Sequence, residues 1–178
     1  MSKAFQCEHK PVPLDRYFVS PLRTGIRNFN SVVDYYMYYA PNIDSKHSPG
    51  KIEGTRAQEI LARMLEDSEM KNKYTFYVQE SAKPWERFKL SQRDTCLKCC
   101  RFVCKRGLKE DELTALLRHI RNSFAHGLVY VKTEKQTRRM LLEDFDSKKK
   151  KITARIVLTA KVLEDWKAIL ENEIATGE

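Results

Sequence analysis

Apolar residues recur every three or four positions along most of the chain, which is the spacing of amphipathic helices. Five segments carry such a stripe, and each stripe predicts a helix. The stripe residues are, in chain order, Ile26, Phe29, Val33, Tyr36 and Met37; Ala57, Ile60, Leu61, Met64 and Leu65, after Ile52; Cys96, Leu97, Cys100, Val103 and Cys104; Leu113, Leu116, Leu117, Ile120 and Phe124; and Val162, Leu163, Trp166, Ile169 and Leu170.

Capping residues mark several of the helix ends. A pair of residues, Ser91 and Asp94, has the spacing of a capping box ahead of the third stripe, and Gly107 is placed to end that helix. Gly127 ends the fourth stripe in the same way. Thr159 is a suitable N-cap for the last helix.

The period of the pattern changes after Gly127. The stretches "LVYV", "RRMLLEDFD" and "KITARIVLT" alternate as strands do, and the turn-like "DSKKKK" separates the last two. Residues 128 to 158 are therefore predicted to form a small antiparallel ribbon. Near residue 74, "YTFYV" also alternates, but the pattern over residues 73 to 90 fits either a short strand or a helix end.

These elements predict a mainly all-α fold, an up-and-down helical bundle with a small antiparallel β ribbon before the last helix. A chain of 178 residues suits one domain with its own core, so we expect a single domain over residues 1 to 178. A polar, proline-marked segment occupies residues 1 to 20, and the sequence leaves its order open.

The charge of the chain favours an anionic partner. The formal net charge is +9 and the pI is near 9.3, so nucleic acid is the first candidate; the alternative is a merely soluble basic protein. The first 30 residues do not resemble a signal peptide, and no window approaches the roughly 18 apolar residues of a membrane helix. The expected location is cytoplasmic, with no membrane partner.

The five cysteines are an odd number in a chain without an export signal, which favours reduced thiols over a disulfide framework. Four of them cluster at Cys96, Cys99, Cys100 and Cys104, and Cys-x-x-Cys is half of a common zinc ligand set. The helical spacing of three of them favours core packing instead. We therefore expect no metal and no cofactor.

The stretch "RNSFAHG", residues 121 to 127, is the strongest candidate for a site. On a regular helix, Asn122 and His126 lie nearly opposite the apolar stripe and face outward. Arg121 lies roughly 140° around the helix from His126, so the two would not easily meet at one phosphate. Either the helix unwinds near Gly127, or a second copy of the helix completes the site about a two-fold axis. We favour the second arrangement.

Arg121 and Asn122, followed by three residues and then His126 late in a long predicted helix, resemble the R-x4-6-H motif of the HEPN superfamily. In that family the residue after the arginine is typically Asn, Asp or His. Residues 109 to 128 carry most of the resemblance. It implies a metal-independent, homodimeric endoribonuclease, with Arg121, Asn122 and His126 as catalytic residues. It further implies a toxin-like or phage-defence effector. The expected partners are then RNA and an antitoxin protein.

The chemistry of RNA cleavage suits these side chains without reference to any family. The 2′-hydroxyl is the nucleophile, so cleavage requires a base, a cation for the phosphorane oxygens and a proton donor for the leaving 5′-oxygen. His126 suits the base or acid, and Arg121 suits bidentate contact with the phosphate. Asn122 could orient the imidazole or contact the phosphate. The expected products are a 2′,3′-cyclic phosphate and a 5′-hydroxyl.

Further basic residues near the motif are weaker candidates for RNA contact. They are Arg118, His119, Lys148, Lys149, Lys150 and Lys151. For His119 we favour a solvated or interface position. For the lysine run we favour solvated charge at the tip of a hairpin. Two alternatives to the nuclease stay open. One is a non-catalytic module that binds RNA or a protein, and the other is a zinc-dependent regulator that uses the cysteine cluster.

Overall fold

The computed structural model describes residues 12–13, 29–66, 70–78, 90, 94–134 and 137–176. Four helices lie in these ranges: α1 Phe29–Asp34, which continues as a π-helical turn over Tyr35–Tyr39, α2 Gly54–Leu65, α3 Glu112–Ala125 and α4 Ala160–Ala175. The strands are β1 Val12–Pro13, β2 Tyr74–Tyr77, β3 Asp94–Thr95, β4 Arg101–Lys105, β5 Val129–Glu134, β6 Thr137–Asp146 and β7 Lys151–Thr159.

Five of the strands form one mixed sheet in the order β2-β4-β7-β6-β5. The β2 and β4 strands run parallel, whereas every other neighbouring pair in this sheet is antiparallel. The prediction of an all-α helical bundle is therefore wrong, and the fold is α/β. The predicted ribbon over residues 128 to 158 does form, as β5, β6 and β7, but it is the larger part of this sheet rather than an excursion from a bundle.

The cause of the error lies in residues 94 to 107, where a third helix was predicted and β4 is found. Phe102 and Cys104 point to the core under the helices, and Val103 packs on the opposite face with Tyr77 and Leu90. A strand buried on both faces reads as a continuous apolar run, so its alternation is hidden. The i, i+4 spacing of the cysteines then imitated a helical stripe.

The other helices predicted from apolar stripes are confirmed as α1, α2, α3 and α4. Of the residues used in those predictions, Ile26 lies outside the described ranges, as do Ser91 and residues 1 to 20 apart from 12 and 13. The alternating "YTFY" that the sequence left open is strand β2. No helix of the described part is long and apolar enough to cross a membrane.

The helices cover one face of the sheet, and one apolar cluster joins all four of them to strands β4 to β7. Two buried hydrogen bonds tie α4 into this core. The Tyr36 hydroxyl donates to the Leu163 carbonyl at 2.9 Å, and Trp166 Nε1 donates to the Met64 carbonyl at 2.5 Å. Helix α3 lies against β6 and β4 within this layer. One side of α3 is thereby buried, including Ser123 and Phe124, and the side that carries Asn122 and His126 reaches the surface.

Candidate functional site

Helix α3 stays regular up to the motif because both of its ends are capped. At the start, Asp111 Oδ1 accepts a hydrogen bond from the Thr114 amide at 2.8 Å. At the end, Gly127 has a φ of +67°, and the Leu128 amide bonds to the Ser123 carbonyl at 3.0 Å. This is a Schellman end, in which glycine takes the left-handed position. The helix therefore does not unwind before His126, which excludes the first of the two arrangements considered for the motif.

Asn122 and His126 line one cleft of about 470 Å³. The cleft lies between α3, the segment from Lys105 to Glu110 and the turn that joins β6 to β7. His126 is exposed at its edge, and no hydrogen bond within the described residues holds its imidazole. The basic residues that share the cleft are Lys105, Arg106, Arg118 and Lys148, and three acidic residues, Glu110, Asp144 and Asp146, line it as well.

Arg121 lies on the other side of Asn122. It lines a second depression, of about 550 Å³, between α3 and the loop over residues 42 to 51. Arg118 and Asn122 border both cavities and form the ridge between them. Arg121 Nη1 donates to Asn122 Oδ1 at 3.3 Å, whereas its buried Nε has no hydrogen-bond partner among the described residues. As helical geometry predicts, Arg121 and His126 of one chain do not meet.

His119 is fully buried beneath the cleft, where sequence reasoning favoured a solvated or interface position. Its Nδ1 lies 2.6 Å from Asp144 Oδ2, and its Nε2 lies 2.5 Å from the Lys105 carbonyl oxygen. Each ring nitrogen thus has an oxygen acceptor, and Arg118 Nη2 also lies 3.4 Å from Nε2. His119 can therefore shape the cleft from below, but its ring is not at the surface.

Asp144 on β6 is the centre of this buried network. The same oxygen that meets His119 also accepts a hydrogen bond from Asn122 Nδ2 at 3.2 Å, and Arg118 Nη1 lies 3.9 Å away. Burial raises the pKa of Asp144, but the hydrogen bonds from His119 and Asn122 and the charges of His119 and Arg118 outweigh burial. The net pKa lies below the ordinary value, so the carboxylate is ionised at neutral pH.

Arg118 is held rigidly at the border of the cleft. Its Nε and Nη2 donate to Glu110 Oε1 and Oε2 at 2.7 and 2.9 Å, and Nη2 also donates to the Lys105 carbonyl at 3.1 Å. Burial raises the pKa of Glu110, but the hydrogen bonds from Arg118 and from the Gly107 amide lower it by more than burial raises it. The net pKa therefore lies below the ordinary value. The Arg118 side chain is 38% exposed, so part of it faces the cleft although its guanidinium is paired with Glu110.

The lysine run is divided by the hairpin turn. Lys148 lines the cleft, whereas Lys149, Lys150 and Lys151 are exposed and do not line it. The turn itself is held by Asp146 Oδ1, which accepts from the backbone amides of Lys148 and Lys149 at 3.0 and 3.1 Å. Because Asp146 binds the backbone amides of the turn, the turn is held in a conformation in which the Lys148 side chain lines the cleft.

In the described part of the chain, no group of three or more His, Cys, Asp or Glu side chains could hold a metal ion. Cys100 and Cys104 pack in the apolar cluster under the helices, and Cys96 is also buried. Burial raises the pKa of the Cys104 thiol well above its ordinary value, which keeps it a neutral thiol. These thiols act as small apolar side chains.

Sequence reasoning missed Asp144 and Glu110, the two carboxylates that organise the site. For Asp144 the available signal was "LLEDFD", in which two adjacent acids, Glu143 and Asp144, interrupt an apolar strand. Acidic side chains are rarely buried unless they are paired, so two of them inside a strand indicate buried partners. In the structure, Arg155 Nε donates a hydrogen bond to Glu143 Oε1 at 2.6 Å, and Asp144 Oδ2 contacts His119 Nδ1.

No protein-family model, curated protein or solved structure matches this chain. The HEPN resemblance therefore depends on the Arg121 to His126 motif and its helix alone.

We predict that Asp144→Asn makes stability less sensitive to acid. The folded-state pKa of Asp144 lies below its ordinary value of 3.8, so the stability contributed by the ionised group is present above that pH. It is lost as pH falls through the folded-state pKa. The substitution should lower the free energy of unfolding at pH 7 by about 3 kcal/mol and flatten the decline below about pH 4. Urea titrations at a series of pH values measure both effects.

The matched control is Glu143→Gln, which removes the neighbouring buried carboxylate. Burial raises the pKa of Glu143, and Arg155 offsets only part of this effect, so its ionisation opposes folding as pH rises. Its removal should leave the acid decline intact or make it steeper. Equal flattening in both variants would show that Asp144 is not specially stabilised as an anion.

Proposed function

We propose that the protein binds RNA across the exposed side of α3 and cleaves it without a metal ion, with His126 as the proton-transfer residue. The observation that supports this most directly is that His126 is exposed in a cleft shared with Asn122, Arg118 and two other basic segments of the chain. An imidazole that shares a cleft with a guanidinium held by Glu110 and with lysine ammonium groups suits phosphoryl chemistry. The net charge of +9 favours the same anionic ligand.

The reaction is a transesterification within the RNA. The 2′-oxygen attacks the adjacent phosphorus as its proton passes to a base, and the bond from phosphorus to the 5′-oxygen breaks as that oxygen takes a proton from an acid. The products are a 2′,3′-cyclic phosphate and a 5′-hydroxyl, so the step requires neither oxidant nor external nucleophile. The arginine stabilises the additional negative charge on the phosphorane.

A single chain supplies only part of this set, which supports a two-chain site. Among the described histidines, His119 is buried and His47 does not line the cleft, so His126 is the available imidazole there. Arg121 and His126 are about 7.5 Å apart along the helix axis. A two-fold axis midway between Asn122 and Ala125 would place Arg121 opposite His126 of the partner subunit. Ala125 is exposed and small, which permits close approach of the two helices.

A second candidate, an RNA- or protein-binding module without catalysis, is favoured by one observation. Arg121 and His126 lie on opposite sides of Asn122 within a chain, so a chain that acts alone has a basic surface without a complete catalytic set. The next two experiments separate the candidates.

We predict that His126→Ala lowers the rate of RNA cleavage by about 10²-fold to 10⁴-fold, because it removes the proton-transfer group. The measurement is gel analysis of a labelled structured RNA in excess EDTA, with the chemistry of the ends determined. Wild-type protein should leave 2′,3′-cyclic phosphate and 5′-hydroxyl ends. His47→Ala, which removes an exposed histidine outside the cleft, is the control and should retain activity. Cleavage that survives His126→Ala, or that disappears with EDTA, contradicts the proposal.

We also predict subunit complementation. Arg121→Ala and His126→Ala should each be inactive, but a mixture of the two should recover about a quarter of wild-type activity. Half of the dimers formed by random exchange contain one chain of each kind, and each such dimer has one site with both side chains intact. A mixture of His126→Ala with the Arg121→Ala, His126→Ala double variant has no intact site and is the control. If the first mixture stays as inactive as this control, the two residues do not act across a subunit boundary.

A further inference from the structure

A continuous line of hydrogen bonds runs from strand β4 to the side chain of Arg121. It begins at the Lys105 carbonyl, which meets His119 Nε2 at 2.5 Å, and His119 Nδ1 then meets Asp144 at 2.6 Å. Asp144 accepts from the Asn122 amide nitrogen at 3.2 Å, and the Asn122 amide oxygen accepts from Arg121 at 3.3 Å. The line crosses the ridge between the two cavities.

The direction of the Asn122 amide depends on Asp144. A carboxylate can only accept hydrogen bonds, so it selects the amide nitrogen of Asn122 as its neighbour. The amide oxygen is then turned toward Arg121, which can only donate. If the amide were reversed, oxygen would face carboxylate and NH₂ would face guanidinium, and both contacts would be repulsive. Asp144 therefore determines which end of Asn122 is presented to Arg121.

The backbone around Asp144 is adapted to direct this side chain. The pairing of β6 with β7 changes register between Asp144 and Phe145, where Thr153 of β7 has no partner residue on β6. Such irregularities of a strand pair occur often beside functional sites. The Thr153 hydroxyl also donates to the Asp144 carbonyl at 3.2 Å. The backbone of Asp144 is thus held in the sheet at a point from which its carboxylate contacts α3.

We infer that Asp144 is a positioning residue that acts through Asn122 to hold Arg121 in the orientation needed for the RNA phosphate. This role rests on the proposed function, because Arg121 and Asn122 are the groups that would touch RNA. Asp144 itself lies beneath the surface and does not need to contact RNA. The alternative is that Asp144 serves only as the hydrogen-bond partner of buried His119.

A double-mutant cycle separates these two roles. Asp144→Ala should lower kcat by about 10-fold to 100-fold with little change in KM, because misplacement of a catalytic group affects the reacting state most. Asn122→Ala should have a similar effect. If Asp144 acts through Asn122, the double variant should lie within about twofold of the worse single variant. If the two losses multiply, Asp144 does not act through Asn122 and the inference is overturned.

Two further variants keep the test valid if Asp144→Ala does not fold. Asp144→Asn keeps the size of the side chain, but an amide can donate as well as accept and no longer selects one direction of the Asn122 amide. Its kcat should still fall by about 10-fold, and its cycle with Asn122→Ala can replace the first one. Glu143→Gln is the matched control, because its carboxylate is equally buried but bonds to Arg155 instead of to α3. It should leave kcat unchanged. A loss in Glu143→Gln equal to that in Asp144→Asn would indicate a general effect of damage to β6 and would overturn the inference.

A readout that does not require cleavage distinguishes failure of this inference from failure of the proposed function. In wild-type protein, the side-chain NH₂ of Asn122 should give two separated, exchange-protected NMR signals, assigned by their loss in Asn122→Ala. Asp144→Ala should move them to the values of a free amide, while the backbone amides of α3 keep their shifts. If the NH₂ signals do not change, Asp144 does not position Asn122. If they change but wild-type protein cleaves no RNA, the positioning holds and the nuclease proposal fails.

Discussion

The carboxylate of Asp144 is the contact on which the candidate site depends. It is buried between a strand and a helix, and it accepts hydrogen bonds from one donor below the cleft, His119, and one at the cleft surface, Asn122. An unpaired charge there would cost several kcal/mol, so the network is favourable only when it is complete. The position of α3 over the sheet and the orientation of its exposed side chains are therefore coupled. A substitution of Asp144 should therefore change the orientation of exposed side chains of α3, Asn122 first.

Helical geometry places the two basic groups of the motif in separate cavities, and the Asp144 network lies between them. Asn122 is held by Asp144 on one side and by Arg121 on the other, so it lies between the arginine and His126. The Schellman end at Gly127 keeps the helix regular through this region, which prevents the two groups from converging by unwinding. A phosphate that contacts both must reach across the ridge or meet a second chain. The exposed, small Ala125 makes the second solution geometrically accessible.

The parts of this architecture that depend on local sequence could be predicted, and the parts that depend on distant pairing could not. The stripe that ends at Gly127 predicts α3 and places Asn122 and His126 outward, because helix period and capping are local properties. Strand β4 was mistaken for a helix because its alternation is hidden by burial on both faces, and its parallel partner β2 comes from a separate part of the chain. His119 and Asp144 are 25 residues apart, and their contact requires the packing of α3 on β6 to be known. Only the adjacent acids Glu143 and Asp144 within "LLEDFD" indicated that such a partner existed.

The most direct test of the account is to locate bound RNA on the protein. A single-stranded RNA with 2′-O-methyl groups lacks the nucleophile, so it can be titrated into isotope-labelled protein without being cleaved, and backbone amide NMR shifts can be followed. The account predicts saturable shifts that centre on residues 105 to 107, 118 to 126 and 146 to 148, and that weaken as salt rises. Shifts confined to the opposite face of the sheet, or no saturable shifts at low salt, would contradict the assignment of this cleft as an RNA site.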